Sequence, residues 1–180
     1  SETVYETSVT DFPAMVYDSS NNKVIVAYQD EGNTDYGTVA VGTVSGTSIS
    51  FGTPVVFESA AVQHVALAFD SNSNKVVIAY RTTTGKAVVA TVSGTSISFG
   101  TPVEFYNALT DELDIVFDSN VNKVVIGYQS SGSDAGLAKV GTVSGTSISF
   151  GAEATFESAN VASISPVFDN TINKVVLAYS

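Results

Sequence analysis

Phe69-Asp70-Ser71-Asn72-Ser73-Asn74-Lys75-Val76-Val77-Ile78-Ala79-Tyr80 is one of four copies of a single phrase, found at residues 17–28, 69–80, 117–128 and 168–179. Each copy has an aromatic, an Asp, three turn-type residues, Asn-Lys, and an apolar run that closes on Tyr. The shared Asp falls at 18, 70, 118 and 169, at intervals of 52, 48 and 51 residues. A period near fifty marks a repeat architecture, in which each unit buries its apolar face against its neighbours.

Within a unit, the side chains alternate ahead of the Asp. Pro13, Met15 and Tyr17 fall on one face and Ala14 and Val16 on the other, the period of two expected of a strand, and Tyr17, Phe69, Phe117 and Phe168, each on the same face of the same strand, are expected to occupy matching buried positions. The Asp opens a turn, because Asp and Asn side chains bond nearby backbone N–H groups and tolerate left-handed dihedrals. The run at 24–28 is apolar on both faces, which predicts a layer above and a layer below. A polar loop follows, then a third strand over 37–44. The turn Ser45-Gly46-Thr47-Ser48 leads into a fourth strand interrupted at Gly52. The phrase Val-Ser-Gly-Thr-Ser-Ile-Ser-Phe-Gly at 44–52 recurs at 92–100 and 143–151. No window carries a capped 3.6-residue period, so almost no helix is expected.

The fold class predicted is all-β: repeated four-stranded antiparallel blades in a β-propeller-like array of about four, the last one composite. The chain reads as a single repeat domain, 1–180. Residues 1–8 form a closing strand, repeats cover 12–58, 64–106 and 112–158, and a half repeat covers 163–180. Val4-Tyr5-Glu6-Thr7 matches Val56-Phe57-Glu58-Ser59 and Thr155-Phe156-Glu157-Ser158, the last strands of two repeats. It is therefore expected to complete the blade begun by 164–179, either within one chain or by pairing with a second copy.

Composition narrows the chemistry. Hydrophobic residues make up 44% of 180, enough to fill a core, and the absence of Cys rules out disulfides and thiolate sites. Eighteen acidic residues against seven basic give a net charge of −11, which repels a phosphate backbone, so nucleic acid is not an expected partner. No apolar run has the length of a membrane span. The N-terminus has neither an initiator Met nor a secretion signal, and suggests a piece of a longer protein. An acidic, Ser/Thr/Gly-rich surface without Cys suits an extracellular or virion setting.

The words Ala68-Phe69-Asp70 and Asn74-Lys75-Val76-Val77-Ile78-Ala79-Tyr80 resemble the repeats of the NHL and YVTN propeller families. There an apolar strand ends in Asp, a short turn follows, and a second strand ends in an aromatic. The period here is longer. The Val-Ser-Gly-Thr-Ser-Ile-Ser-Phe-Gly phrase resembles tandem repeats of marine phage tail-fibre and bacterial surface proteins. These resemblances imply blades with their first strands near an axis, and a structural or adhesive role.

Candidate residues are few. His64, the only His, is read as a polar residue at the start of an inner strand. The aspartates Asp18, Asp70, Asp118 and Asp169 are read as turn caps rather than a ring of cation ligands. Tyr28, Tyr80, Tyr128 and Tyr179 are read as core, with a sugar-stacking ring as the rival. The loops after the second strands differ most between repeats, and such loops usually carry binding residues. They supply Asp30, Asn33, Asp35, Tyr36 and Asp134 as ligand-binding candidates. Asp30, Glu31, Asn33 and Asp35 are hard donors suited to Ca²⁺ but lack EF-hand spacing; otherwise no cofactor is expected. The expectation is a non-catalytic structural or adhesive module that binds surface glycans through its loops. The alternative is a purely structural, self-assembling subunit, and with one His and one Arg an enzyme is not expected.

Overall fold

The computed structural model describes residues 3–180, so the first two residues of the expected closing strand at 1–8 lie outside it. The chain folds into four antiparallel sheets that repeat one pattern. In the first, β1 (Thr10–Asp18), β2 (Lys23–Asp30) and β3 (Tyr36–Ser45) lie in order. The two halves of β3 then pair with β4 (Ser48–Phe51) and β5 (Val55–Ala61). The outermost strand is thus one strand broken at Gly52, whose N–H bonds the Val41 carbonyl at 2.9 Å. The second sheet repeats this with β6 (Gln63–Asp70), β7 (Lys75–Arg81), β8 (Gly85–Ser93), β9 (Ser96–Phe99) and β10 (Val103–Tyr106). The third uses β11 (Thr110–Asp118), β12 (Lys123–Ser130), β13 (Ala135–Ser144), β14 (Ser147–Phe150) and β15 (Ala154–Asn160). A hairpin of β16 (Ser165–Asp169) and β17 (Lys174–Ala178) makes the fourth. The one helical element among the described residues is a 3-10 turn, Glu31–Asn33.

The sheets stack face to face like blades, with the first strands β1, β6, β11 and β16 side by side. The period of two decides which neighbour each side chain meets. Val76, Ile78 and Tyr80 of β7 pack on Ile25, Ala27, Val39 and Val41 of the first sheet. Val77 and Ala79, from the same strand, pack on Ile115, Ile126 and Tyr128 of the third. This is why the apolar runs have no polar side, and at about 25 cal/mol per Å² these two seams are the main source of stability.

Two further devices clamp the seams. Gly37 and Gly85 leave room for the rings of Phe57 and Phe105, where a Cβ would come within 2.5 and 2.7 Å of them. Each ring then covers the Tyr of the next blade, Phe57 on Tyr80 and Phe105 on Tyr128, with centroids 5.1 and 5.2 Å apart. The recurrent nine-residue phrase forms the second clamp. The Thr95 carbonyl of one blade's hairpin sits over Gly52 of the blade before, and the Thr146 carbonyl sits over Gly100. The Gly ending the phrase and the Thr inside it are thus two halves of one contact.

Three expectations are corrected. Residues 4–7 do not form a strand and, within the chain, do not complete the β16–β17 sheet. Tyr5 instead lies on Tyr28 at 5.1 Å and on Phe51 at 5.8 Å. The likeness of this segment to an outer strand is real, but an outer strand covers the Tyr of the blade after it, and Tyr5-Glu6 does so for Tyr28. The second concerns Tyr17, expected to share a buried position with Phe69, Phe117 and Phe168. It is 53% exposed, because it faces outward from the first sheet, where no described blade precedes it. The third concerns the run at 175–179, expected to be buried on both faces. Val176 remains 43% exposed, because no described sheet covers that side of the hairpin, and Tyr179, on the other face beneath Phe156, is 43% exposed as well.

Candidate functional site

The inner strands share their aromatic-Asp ending and differ in the residues before it. Six residues before the shared Asp stand Phe12, His64, Glu112 and Ser163, four different side chains in one repeated backbone. All four are left-handed, with φ of 50°, 48°, 47° and 51°. The strand ladders slip there, between Asp11 and Ala14, Gln63 and Ala66, and Asp111 and Asp114. A bulge with a left-handed residue bends the strand and re-aims its side chain, at about 1–3 kcal/mol for a residue other than Gly. Unfavourable backbone kept at every repeat, with a changing side chain, marks this end of the sheets as the candidate site.

The bulges bring neighbouring blades into polar contact. Phe12 lies against the His64 ring, with centroids 5.1 Å apart. His64 Nε2 is 3.4 Å from Asp111 Oδ1, and Arg81 donates to the same carboxylate and, at 3.1 Å, to the Thr110 carbonyl. The Ser131 hydroxyl donates to the other oxygen of Asp111. Burial, followed by the nearby guanidinium, holds the His64 imidazole below its ordinary range, while Asp111 and Glu112 act the other way. Glu112 accepts the Ser163 N–H at 3.0 Å, joining the third blade to the fourth. Burial pushes the Asp114 carboxyl up, against the pull of the Ile115 N–H at 2.8 Å. Arg81 Nε and Thr110 Oγ1 are buried here without a hydrogen-bond partner.

The loops named from the sequence open at this same end. Asp30 closes β2 with one buried oxygen unpartnered, and its carboxyl is raised by burial and then by Glu6. Asn33 is exposed on the 3-10 turn, and Tyr36 starts β3 half-buried. Asp35 and Asp134 are left-handed repeat equivalents whose carbonyls take the N–H of Val62 and Val161, both at 3.0 Å, and tie each loop to the next blade. Among the described residues no three Asp, Glu or His side chains converge as metal ligands.

Tyr28, Tyr80 and Tyr128 are fully buried, so none offers a ring face to a sugar. Their hydroxyls donate to Glu6 at 3.3 Å, Glu58 at 3.0 Å and Glu153 at 2.7 Å. Tyr179 is partly exposed beneath Phe156. Asp18, Asp70, Asp118 and Asp169 lie at the opposite end. Asp18 accepts the N–H groups of Ser20 and Asn21 at 2.9 and 3.0 Å, and the other three do the same in their own turns. The residues missed from the sequence are Arg81, Asp111, Glu112 and Asp114. The signal in the sequence that points to them is three carboxylates within four residues at the start of the third inner strand, together with the only Arg of the chain.

No protein-family model and no curated protein sequence matches the chain. Among solved structures, the exo-β-1,3-galactanase of Phanerochaete chrysosporium, seen with β-1,3-galactotriose, is similar over 97% of this chain, at 13% identity and a TM-score of 0.65. The match spans 44% of the galactanase chain. The likeness shows an all-β fold of repeated antiparallel sheets of propeller type. It also overturns the expectation of a non-catalytic adhesive or purely structural module: the neighbour that shares this fold is an exo-β-1,3-galactanase, so the expectation of no enzyme does not stand.

Proposed function

We propose that this chain is a glycan-processing module whose site is the bulge end of the sheets. The observation carrying the reading is the set of four non-identical residues, Phe12, His64, Glu112 and Ser163, all held left-handed at one end of the sheets. Left-handed backbone at residues other than Gly or Asn, kept in step on a rigid scaffold, is a mark of a site. The likeness to a galactanase supports carbohydrate as the ligand class.

Cleaving a glycosidic bond takes one carboxyl that donates a proton and a second carboxylate beside the sugar. The start of β11 supplies three candidates within four residues. Asp111 is committed to Arg81 and Ser131, and positions them. Asp114, raised by burial, suits the proton donor. Glu112, aimed by its left-handed backbone, is the second carboxylate. Phe12 and His64 offer apolar and neutral polar surface for a pyranose ring. The four sheets serve as propeller blades about one axis, and the acidic, cysteine-free chain works in an extracellular or virion setting.

The test is release of reducing sugar from a panel of neutral polysaccharides that includes β-1,3-galactan. Turnover is expected and should fall at least a hundredfold in Asp114→Asn and Glu112→Gln, within the contribution of a general acid or base, with unchanged melting temperatures. Neither turnover nor binding on any member of the panel would refute the reading.

A further inference from the structure

The seam between the first two sheets holds a cleft of about 430 Å³ lined by Ala60, Ala61, Gln63, Thr82, Thr83 and Lys86. It shares a wall with the bulge-end cluster: Gln63 precedes His64, Thr82 follows Arg81, and Gln63 and Arg81 are register partners across β6 and β7. We propose that this cleft is a subsite for one neutral sugar residue of a glycan that reaches the bulge end, an inference that rests on the glycan reading above.

Three observations select that occupant. Thr82 Oγ1 is buried with no partner, a state that a ligand hydroxyl relieves. The Lys86 ammonium does not offer an anion site, because it donates to Glu58 at 3.1 Å, the same carboxylate oxygen that takes the Tyr80 hydroxyl at 3.0 Å. A chain of net charge −11 moreover repels a polyanionic glycan. What is left is two hydroxyls, a carboxamide and two alanine methyls, the surroundings that suit a pyranose with its hydroxyls on one side and C–H groups on the other. The volume lies in the lower part of the range of small-molecule sites.

Calorimetry with neutral β-1,3-linked galactose and glucose oligosaccharides, from mono- to tetrasaccharide, tests this. For the wild type, Kd should improve about tenfold at the chain length that first fills the cleft, the gain of one or two hydrogen bonds. Thr83→Trp, which fills the cleft from an exposed loop position, and Thr82→Val, which removes the unpartnered hydroxyl, should abolish that step. Both should leave Kd for shorter sugars unchanged. Thr82→Val keeps the side-chain shape, so it remains informative should the Trp variant fail to fold. If no sugar binds the wild type, the glycan reading falls and this inference with it. If sugars bind but the step is absent, or survives in the variants, the cleft inference alone falls. Tighter binding of glucuronate-containing oligosaccharides than of the neutral ones would overturn the neutral assignment.

Discussion

Gly52, Gly100 and Gly151 end three copies of one phrase, yet a methyl group added to each would meet different surroundings. At Gly52 it would lie 2.6 Å from the Thr95 carbonyl oxygen, and at Gly100 it would overlap the Thr146 carbonyl more deeply. At Gly151 the nearest atom is the Val140 carbonyl oxygen at 3.7 Å, because no described hairpin lies over it. None of the three is left-handed, so the conformational penalty is the same and only the space differs. Overpacking costs about 1–3 kcal/mol, and a carbonyl cannot rotate away as a side chain can. Where there is room, Gly→Ala gains about 0.4–1 kcal/mol by restricting the unfolded chain. Gly100→Ala should therefore destabilise by about 3 kcal/mol, Gly52→Ala by about 1–2, and Gly151→Ala should be neutral or slightly stabilising. Urea unfolding followed by circular dichroism and tyrosine fluorescence reads these values as midpoint shifts. Equal costs at Gly100 and Gly151, or none at Gly100, would refute the stacking of hairpin on glycine.

Phe105→Ala, at a ring only 2% exposed, should cost about 3–5 kcal/mol, whereas Tyr17→Ala should stay within about 0.5. The reverse order in thermal melts would mean that the sheets stack differently. Burial, followed by the neighbouring glutamates, raises the phenols of Tyr28, Tyr80 and Tyr128 above their ordinary 10.0. The folded chain then keeps protons that the unfolded chain releases, so stability is full below about pH 10 and falls above it. Urea midpoints at rising pH, with tyrosinate absorbance as the monitor, check this, and Tyr80→Phe should flatten the decline. His64 has the opposite sign: its imidazole is held below 6.5, so stability is present above that pH and declines as pH falls through the folded value. His64→Gln should remove that part of the acid decline, and titration of the imidazole C–H resonance by NMR should show the lowered midpoint.

The repeat phrase was enough to place the strands, because its aromatic, Asp, Asn and Tyr each have one local job: a strand face, a turn cap, a left-handed turn position and a buried ring. Four asparagines before Lys, at 22, 74, 122 and 173, are left-handed in the structure, as the turn chemistry implied. What stayed hidden depends on contacts between repeats. Nothing local in Gly52 says that a neighbouring carbonyl sits above it, and nothing in Tyr17 says that its equivalent in the next blade is covered. The candidate site was hidden for a related reason. His64 and Glu112 fall in strands that alternate well, so periodicity passes over them, and the bulge that turns them aside leaves no composition signal. Asp111 gains its meaning only from Arg81, thirty residues away and in another blade.

The aromatic clamp runs one way along the chain: Tyr5 covers Tyr28, Phe57 covers Tyr80, Phe105 covers Tyr128 and Phe156 covers Tyr179. In every pair the cover is synthesised before the residue it shelters. A nascent chain leaving the ribosome would meet each buried Tyr with its lid already made, so blades can be added in order of translation without waiting for downstream sequence. The physical unit of folding is then offset from the unit of duplication, running from the outer strand of one repeat through the inner strands of the next. Hydrogen exchange should follow that offset, with Phe57→Ala loosening β7, in the following repeat, more than β2 in its own.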